Sequence, residues 1–262
     1  MRKLRPCLAI ASLFCALLVP SPAKADSACG VINLGSFVPT TTCTIGDKTF
    51  AFTGDQLSLN GVTSPLPSAF VITPDASNPL APSFTISAAP GSSITIPAGI
   101  GGEASLNFGF TVSTTNGSAT ISGLDVAVSG SVSGEVSGGS SISKVEATNA
   151  LSSGPGVIFT SGLPEVTACI QNGGTFFLPG CVAATGTGSN SGSLAFATPV
   201  SSLTGIAFVD LGTGSGTAIL TSATYSIDEI PQTTPTPEPS SLVLLATGLL
   251  GVLGACRRTL FS

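Results

Sequence analysis

The stretch "ASLNFGFTVST", residues 104–114, alternates without a break: Leu106, Phe108, Phe110 and Val112 share one parity, and small or polar residues take the other. A period of two is the signature of a strand with one buried face. "GLDVAVSGSVSGEVSGGSSIS" keeps that parity for longer, with Val126, Val128, Val132, Val136 and Ile142 at even positions. This reads as one long strand, or two strands turning at Gly138-Gly139. Gly130 and Gly134, on its apolar parity, mark bulges or close packing. Shorter alternations occur at Phe50/Phe52, Leu57/Leu59, Phe84/Ile86, Ile94/Ile96, Leu194/Phe196, Ile206/Phe208 and Tyr225/Ile227. Asn60-Gly61, Asn116-Gly117 and Asn172-Gly173 are hairpin-type dipeptides. No segment between residues 26 and 230 has a helical period. The expected fold is all-β: a single antiparallel β-sandwich or jelly-roll-like domain over residues 26–230.

The two ends read differently. Arg2, Lys3 and Arg5 precede an apolar run from Leu8 to Val19, and Ala23-Lys24-Ala25 supplies a small-x-small cleavage site. Residues 1–25 read as a secretory signal peptide, with Asp26 opening the mature chain. Neither Cys15 nor Cys29 has the flanking residues that lipoprotein processing requires. At the other end, residues 231–241 form a Pro-rich spacer, followed by the apolar run Leu242–Cys256 and Arg257-Arg258. As a helix rising about 1.5 Å per residue, this run reaches roughly 22 Å, short of a hydrocarbon core of about 30 Å. Uninterrupted by charge and closed by arginines, residues 242–258 read as a short transmembrane segment with a basic end. Residues 259–262 are a tail.

Pro237-Glu238-Pro239, the apolar run and Arg257-Arg258 together resemble a PEP-CTERM sorting signal. The resemblance covers about residues 235–258. It implies an exported bacterial protein of Gram-negative type, anchored in the membrane until an exosortase cuts near the P-E-P motif. It further implies a place in the cell envelope, at the cell surface or in the extracellular matrix, with extracellular polysaccharide as an associated partner. A glycosylphosphatidylinositol signal shares the apolar tail but not the arginines after it. More softly, "CTIGDKTF", "CIQNGGTFFLPGC" and "SLTGIAFVDLGTGSGTAILTSATYSI" resemble a group of PEP-CTERM surface proteins with one β-domain and no assigned activity.

Composition narrows the chemistry. The chain has no histidine, no tryptophan and one tyrosine, Tyr225. Ser–His–Asp and Cys–His catalysis are therefore excluded, as is imidazole-bound zinc. Between Asp26 and Glu229 lie twelve acidic residues and only two lysines, Lys48 and Lys144, which disfavours nucleic acid as a partner. The phenylalanines, mostly inside alternating runs, read as core.

Carboxylates are the only conventional catalytic groups left. Asp228-Glu229 would face opposite ways on a strand, and pairing Asp210 with either, or Asp47 with Asp55, depends on the fold. No calcium-loop pattern is present. "DLGTGSG" and "GTGSNSG" read as turns rather than phosphate loops. Asn116-Gly117-Ser118 fits an N-glycosylation sequon.

Cys29, Cys43, Cys169 and Cys181 remain after the leader and the terminal segment, an even number suited to an oxidising compartment. They allow three pairings. Cys29–Cys43 and Cys169–Cys181 are favoured because each closes a short loop, and a four-thiolate metal site is the alternative.

The expectation is a non-enzymatic surface or matrix protein with no catalytic residues, metal or cofactor, met by signal peptidase and exosortase during export. The alternative is a carbohydrate- or calcium-dependent binding module, and a carboxylate hydrolase ranks third.

Overall fold

A computed structural model of the chain describes residues 28–36, 41–63, 65–98, 101–114, 119–134, 143–153, 165–172, 181–183, 186–214 and 216–231. Residues 26–232 make one compact unit. Its strands are β1 (Ile32–Asn33), β2 (Thr41–Ile45), β3 (Lys48–Asn60), β4 (Phe70–Asp75), β5 (Ser83–Ala88), β6 (Ile94–Ile96) and β7 (Glu103–Thr114). They continue as β8 (Ala119–Val132), β9 (Ser143–Ser153), β10 (Glu165–Asn172), β11 (Cys181–Ala183), β12 (Gly186–Val200), β13 (Ser202–Gly212) and β14 (Ala218–Pro231). Two single-turn 3-10 helices, Leu34–Ser36 and Pro67–Ala69, are the only helical segments among the described residues.

The strands form two sheets of seven among the described residues. Sheet I runs β11-β10-β9-β13-β7-β3-β2. Sheet II runs β1-β4-β5-β14-β8-β12, with β6 also paired to β14. All pairings between strands are antiparallel except β10–β11. The architecture is a β-sandwich.

Burial follows the alternation. Leu106, Phe108, Phe110 and Val112 of β7 are all 2% exposed or less, and Val126, Val128 and Val132 of β8 are equally enclosed. Phe84 of sheet II sits at the centre. Its ring stacks on Tyr225 at 5.1 Å and meets Phe52 at 5.4 Å, Phe110 at 5.5 Å and Phe108 at 5.7 Å edge-on. Such pairs contribute about 0.5–1.5 kcal/mol each beyond their burial. The Tyr225 hydroxyl donates to the Phe208 carbonyl at 2.6 Å, so the one tyrosine is buried with its polar end paired.

One glycine reconciles two runs of opposite parity. Phe50 and Phe52 are even-numbered, Leu57 and Leu59 odd, yet all four pack against the same core. Between them β3 slips its register against β7, from Thr53↔Gly109 to Asp55↔Phe108. Gly54, at φ +51°, occupies the bulge and returns the odd positions to the core. A Cβ on Gly130 would collide with the Ile219 carbonyl oxygen, so the close packing expected there is present. Opposite it, β14 bulges between Leu220 and Ser222.

Three sequence expectations give way. None of the three Asn-Gly dipeptides closes a hairpin: β3 and β4 lie in different sheets, β7 and β8 likewise, and β10 pairs β11 in parallel. In a sandwich the chain repeatedly changes sheet, and Asn-Gly suits any tight reversal. The tight hairpin that does form joins β2 to β3 through Gly46 and Asp47, with Gly46 at φ +62°. "GTGSNSG" is not a turn but the first half of β12, where Gly192 lets the strand approach the Thr167 carbonyl of sheet I. Finally, Ile206 and Phe208 face outward, because Leu203, Ala207, Val209 and Leu211 take the core side of β13. Gly138-Gly139, Val136, Ile142 and the Asn116 sequon lie outside the described residues.

Candidate functional site

Lys48 opens β3 on the same parity as Phe50 and Phe52, so the hairpin turn at Gly46-Asp47 feeds a lysine directly into the core face. Its side chain is fully buried. Glu229, near the end of β14, follows Tyr225 and Ile227 inward, and its side chain is 1% exposed. Lys48 Nζ lies 2.7 Å from Glu229 Oε1 and donates to Asp47 Oδ1 at 2.7 Å. The Glu229 contact joins opposite charges buried between the two sheets. Burial pushes the Glu229 carboxyl above its ordinary value; Lys48 opposes the shift and the neighbouring Asp47 adds to it. Two carboxylates thus share one buried cation that bridges the sheets.

Asp210 and Glu146 stand directly opposite each other on β13 and β9, facing outward from sheet I. Opposed residues of an antiparallel pair have Cβ atoms about 4.5–5.5 Å apart. Lys144 donates to Glu146 Oε2 at 2.6 Å. Burial raises the Asp210 carboxyl; Ser105 and Lys144 work against that, while Glu146 and Glu103 reinforce it. Phe208, half-buried beside them, faces the same way, with Asn107 and Thr148 as its cross-strand neighbours.

The outer face of sheet II carries hydroxyls in register. One row runs Thr73, Thr85, Thr224, Ala127, Ser191; the next runs Val71, Ser87, Ser222, Ser129, Ser189. The Thr85 and Thr224 hydroxyls are bonded at 2.9 Å. A groove of about 370 Å³ lies over these strands, lined by Ser129, Ser189, Ser191, Ser222 and Thr224. Near it, burial raises the Asp228 carboxyl, helped by the charge of Asp125. This surface offers many donors and acceptors that rotate to suit a polyhydroxylated ligand. Among the described residues no group of three or more His, Cys, Asp or Glu is placed to hold a metal ion.

Cys29 and Cys43 form a disulfide with Cα atoms 4.8 Å apart, and Cys169 and Cys181 a second at 4.2 Å. The latter joins residues directly paired across β10 and β11. Ala23, Ala25, Asp26, Pro237, Glu238, Pro239, Arg257 and Arg258 lie outside the described residues. Of the carboxylates weighed in sequence, Asp210 meets Glu146, Asp47 meets Glu229 and Asp228 meets Asp125; the Asp55 side chain is not described. These partnerships depend on strand order, which nothing local in the sequence encodes. The buried lysine was legible only as Lys48 sharing the parity of Phe50 and Phe52.

The family model of the PEP-CTERM protein-sorting motif matches residues 235–258, so the chain carries that signal. No helix among the described residues is long and apolar enough to cross a membrane, and residues 242–258 lie outside them. No curated protein matches the chain in sequence. Among solved structures, the enzymatically active domain of tailspike protein 4 of bacteriophage CBA120 is 13% identical at a TM-score of 0.23. That match covers 70% of this chain, which spans only 20% of the tailspike chain. TmCBM61 in complex with β-1,4-galactotriose is 7% identical at a TM-score of 0.27, over 60% of this chain and 88% of that one. The family 11 xylanase from Neocallimastix patriciarum is 10% identical at 0.22, over 77% of this chain and all of the other. At such scores these likenesses carry no argument about activity.

Proposed function

We propose that the chain is an exported, non-enzymatic protein of the cell surface or extracellular matrix, delivered by its C-terminal sorting signal. The observation that carries this reading is the PEP-CTERM motif at residues 235–258, placed just beyond the last strand of a disulfide-bonded β-sandwich. Signal peptidase removes residues 1–25 after Ala25. Residues 242–258 then hold the chain in the membrane until an exosortase cuts near Pro237-Glu238-Pro239. The role is mechanical or adhesive: a rigid, acidic β-domain on a Pro-rich spacer, displayed in extracellular polymer. The test is the intact mass of the protein recovered from envelope and medium. A product running from Asp26 to near Pro237 supports the reading. A chain that keeps Arg257-Arg258 in a host with active exosortase overturns it. Polysaccharide hydrolysis by the wild type that is lost in Asp210→Asn or Glu146→Gln would overturn the non-enzymatic part.

The hydroxyl-lined groove of sheet II favours a second reading, a carbohydrate-binding module. Retention on immobilised polysaccharide that is lost in Ser222→Lys supports it. Loss of retention on chelation would mark a calcium-dependent form.

A further inference from the structure

We propose that Lys48 and Glu229 condense into an isopeptide bond that ties sheet I to sheet II. The two side chains come from opposite sheets and are 0% and 1% exposed, with Nζ 2.7 Å from Oε1. An ion pair in such a place carries a heavy desolvation cost. A neutral amide removes both charges. Asp47 touches the other side of Nζ at 2.7 Å and is 36% exposed, so it links the buried pair to solvent.

The chemistry balances without an outside reagent. A proton passes from the Lys48 ammonium to the Glu229 carboxylate, giving a neutral amine and a neutral acid, the forms that burial favours. The amine lone pair attacks Cδ and forms the Nζ–Cδ bond. The Asp47 carboxylate takes the surplus proton from Nζ and returns it to a departing hydroxyl. The Cδ–O bond breaks, one water leaves, and Asp47 is regenerated. Holding the reactants in contact supplies an effective concentration of about 10⁵ M or more for groups in good alignment. Burial keeps the Glu229 carboxyl raised, with Asp47 adding to the shift against the pull of Lys48, which lowers the cost of reaching the acid form.

The placement suits a displayed protein. Both disulfides lie within or against sheet I, so among the described residues no side-chain cross-link of theirs ties one sheet to the other. β14 leads straight toward the sorting signal, and Glu229 sits two residues before its end. Force applied through the anchor would peel β14 first, and a bond to Lys48 stops that peeling at its start.

The experiment is the intact mass of the exported protein, followed by a protease digest. The expected mass is lower by one water than that of the disulfide-bonded chain, with one branched peptide containing both Lys48 and Glu229. Lys48→Arg should restore the water, Asp47→Asn should slow its loss, and Glu229→Gln should lose ammonia instead and reach the same cross-linked product. A wild-type mass with no water missing, or separate peptides carrying Lys48 and Glu229, overturns the proposal. The wild-type digest decides the matter even if a variant fails to fold. It is read independently of where sorting cleavage falls.

Discussion

Asp210 stands directly opposite Glu146 on the outer face of sheet I, with Lys144 bound to Glu146 and Ser105 beside Asp210. A carboxylate crowded by a second carboxylate and partly buried resists ionisation. The Asp210 carboxyl is accordingly raised from 3.8, chiefly by burial, and Asp228 is raised from the same value for the same reason. Above 3.8 and up to the raised values, the folded state holds more protons than the unfolded chain, so stability falls as pH rises through that window. Below it, both states are protonated and the penalty vanishes. Denaturation midpoints should therefore decline as pH rises from 3.8 through the raised values of these two carboxyls. Asp210→Asn and Asp228→Asn should each flatten the decline and raise the neutral-pH midpoint.

Phe84 touches five aromatic rings, one of them stacked at 5.1 Å. Phe84→Ala should cost about 3–5 kcal/mol, measured by urea unfolding. Phe208→Ala should cost a small fraction of that, because Phe208 packs on the outside of β13.

Gly54 sets the phase of the second half of β3. Gly54→Ala places an L-residue at φ +51° and should cost about 1–2 kcal/mol. Inserting one residue after Gly54 should be far worse, because a one-residue slip sends Leu57 and Leu59 to solvent. Comparing the two by thermal unfolding separates backbone strain from loss of register.

The Cys169–Cys181 bond closes a separation of 12 residues and pins the three-residue edge strand β11. Replacing both cysteines with serine should lower stability by about 3 kcal/mol on the chain-entropy account. Proteolysis should then begin near Val182, which is 41% exposed.

Lys48→Met would leave the Glu229 carboxyl buried without its lysine partner, whether as ion pair or as amide, and should cost about 3–5 kcal/mol. Asp47→Asn removes the more exposed partner and should cost no more than about 1 kcal/mol. Chemical denaturation of the two variants tests that ordering.

Much of this was legible in the sequence because a strand's side chains alternate, so the apolar parity in β7, β8 and β14 names the core face wherever the pattern is clean. Even the two phases of β3 were visible as Phe50/Phe52 and Leu57/Leu59, with Gly54 between them. The sorting signal is likewise local, a fixed order of P-E-P, apolar run and arginines over residues 235–258. Where both parities of a strand carry apolar residues, alternation loses its power. In β13, Ile206 and Phe208 compete with Leu203, Val209 and Leu211, and only the facing sheet decides which set is buried.

Strand order was beyond the sequence. The partnerships Lys48–Glu229, Asp210–Glu146 and Asp125–Asp228 all join residues far apart in the chain, and so does the hydroxyl array of sheet II. Alternation fixes which face a side chain takes, because that depends on the residue's own backbone. Which strand lies alongside depends on how two whole sheets bury their apolar faces together, and this is a property of the assembled core.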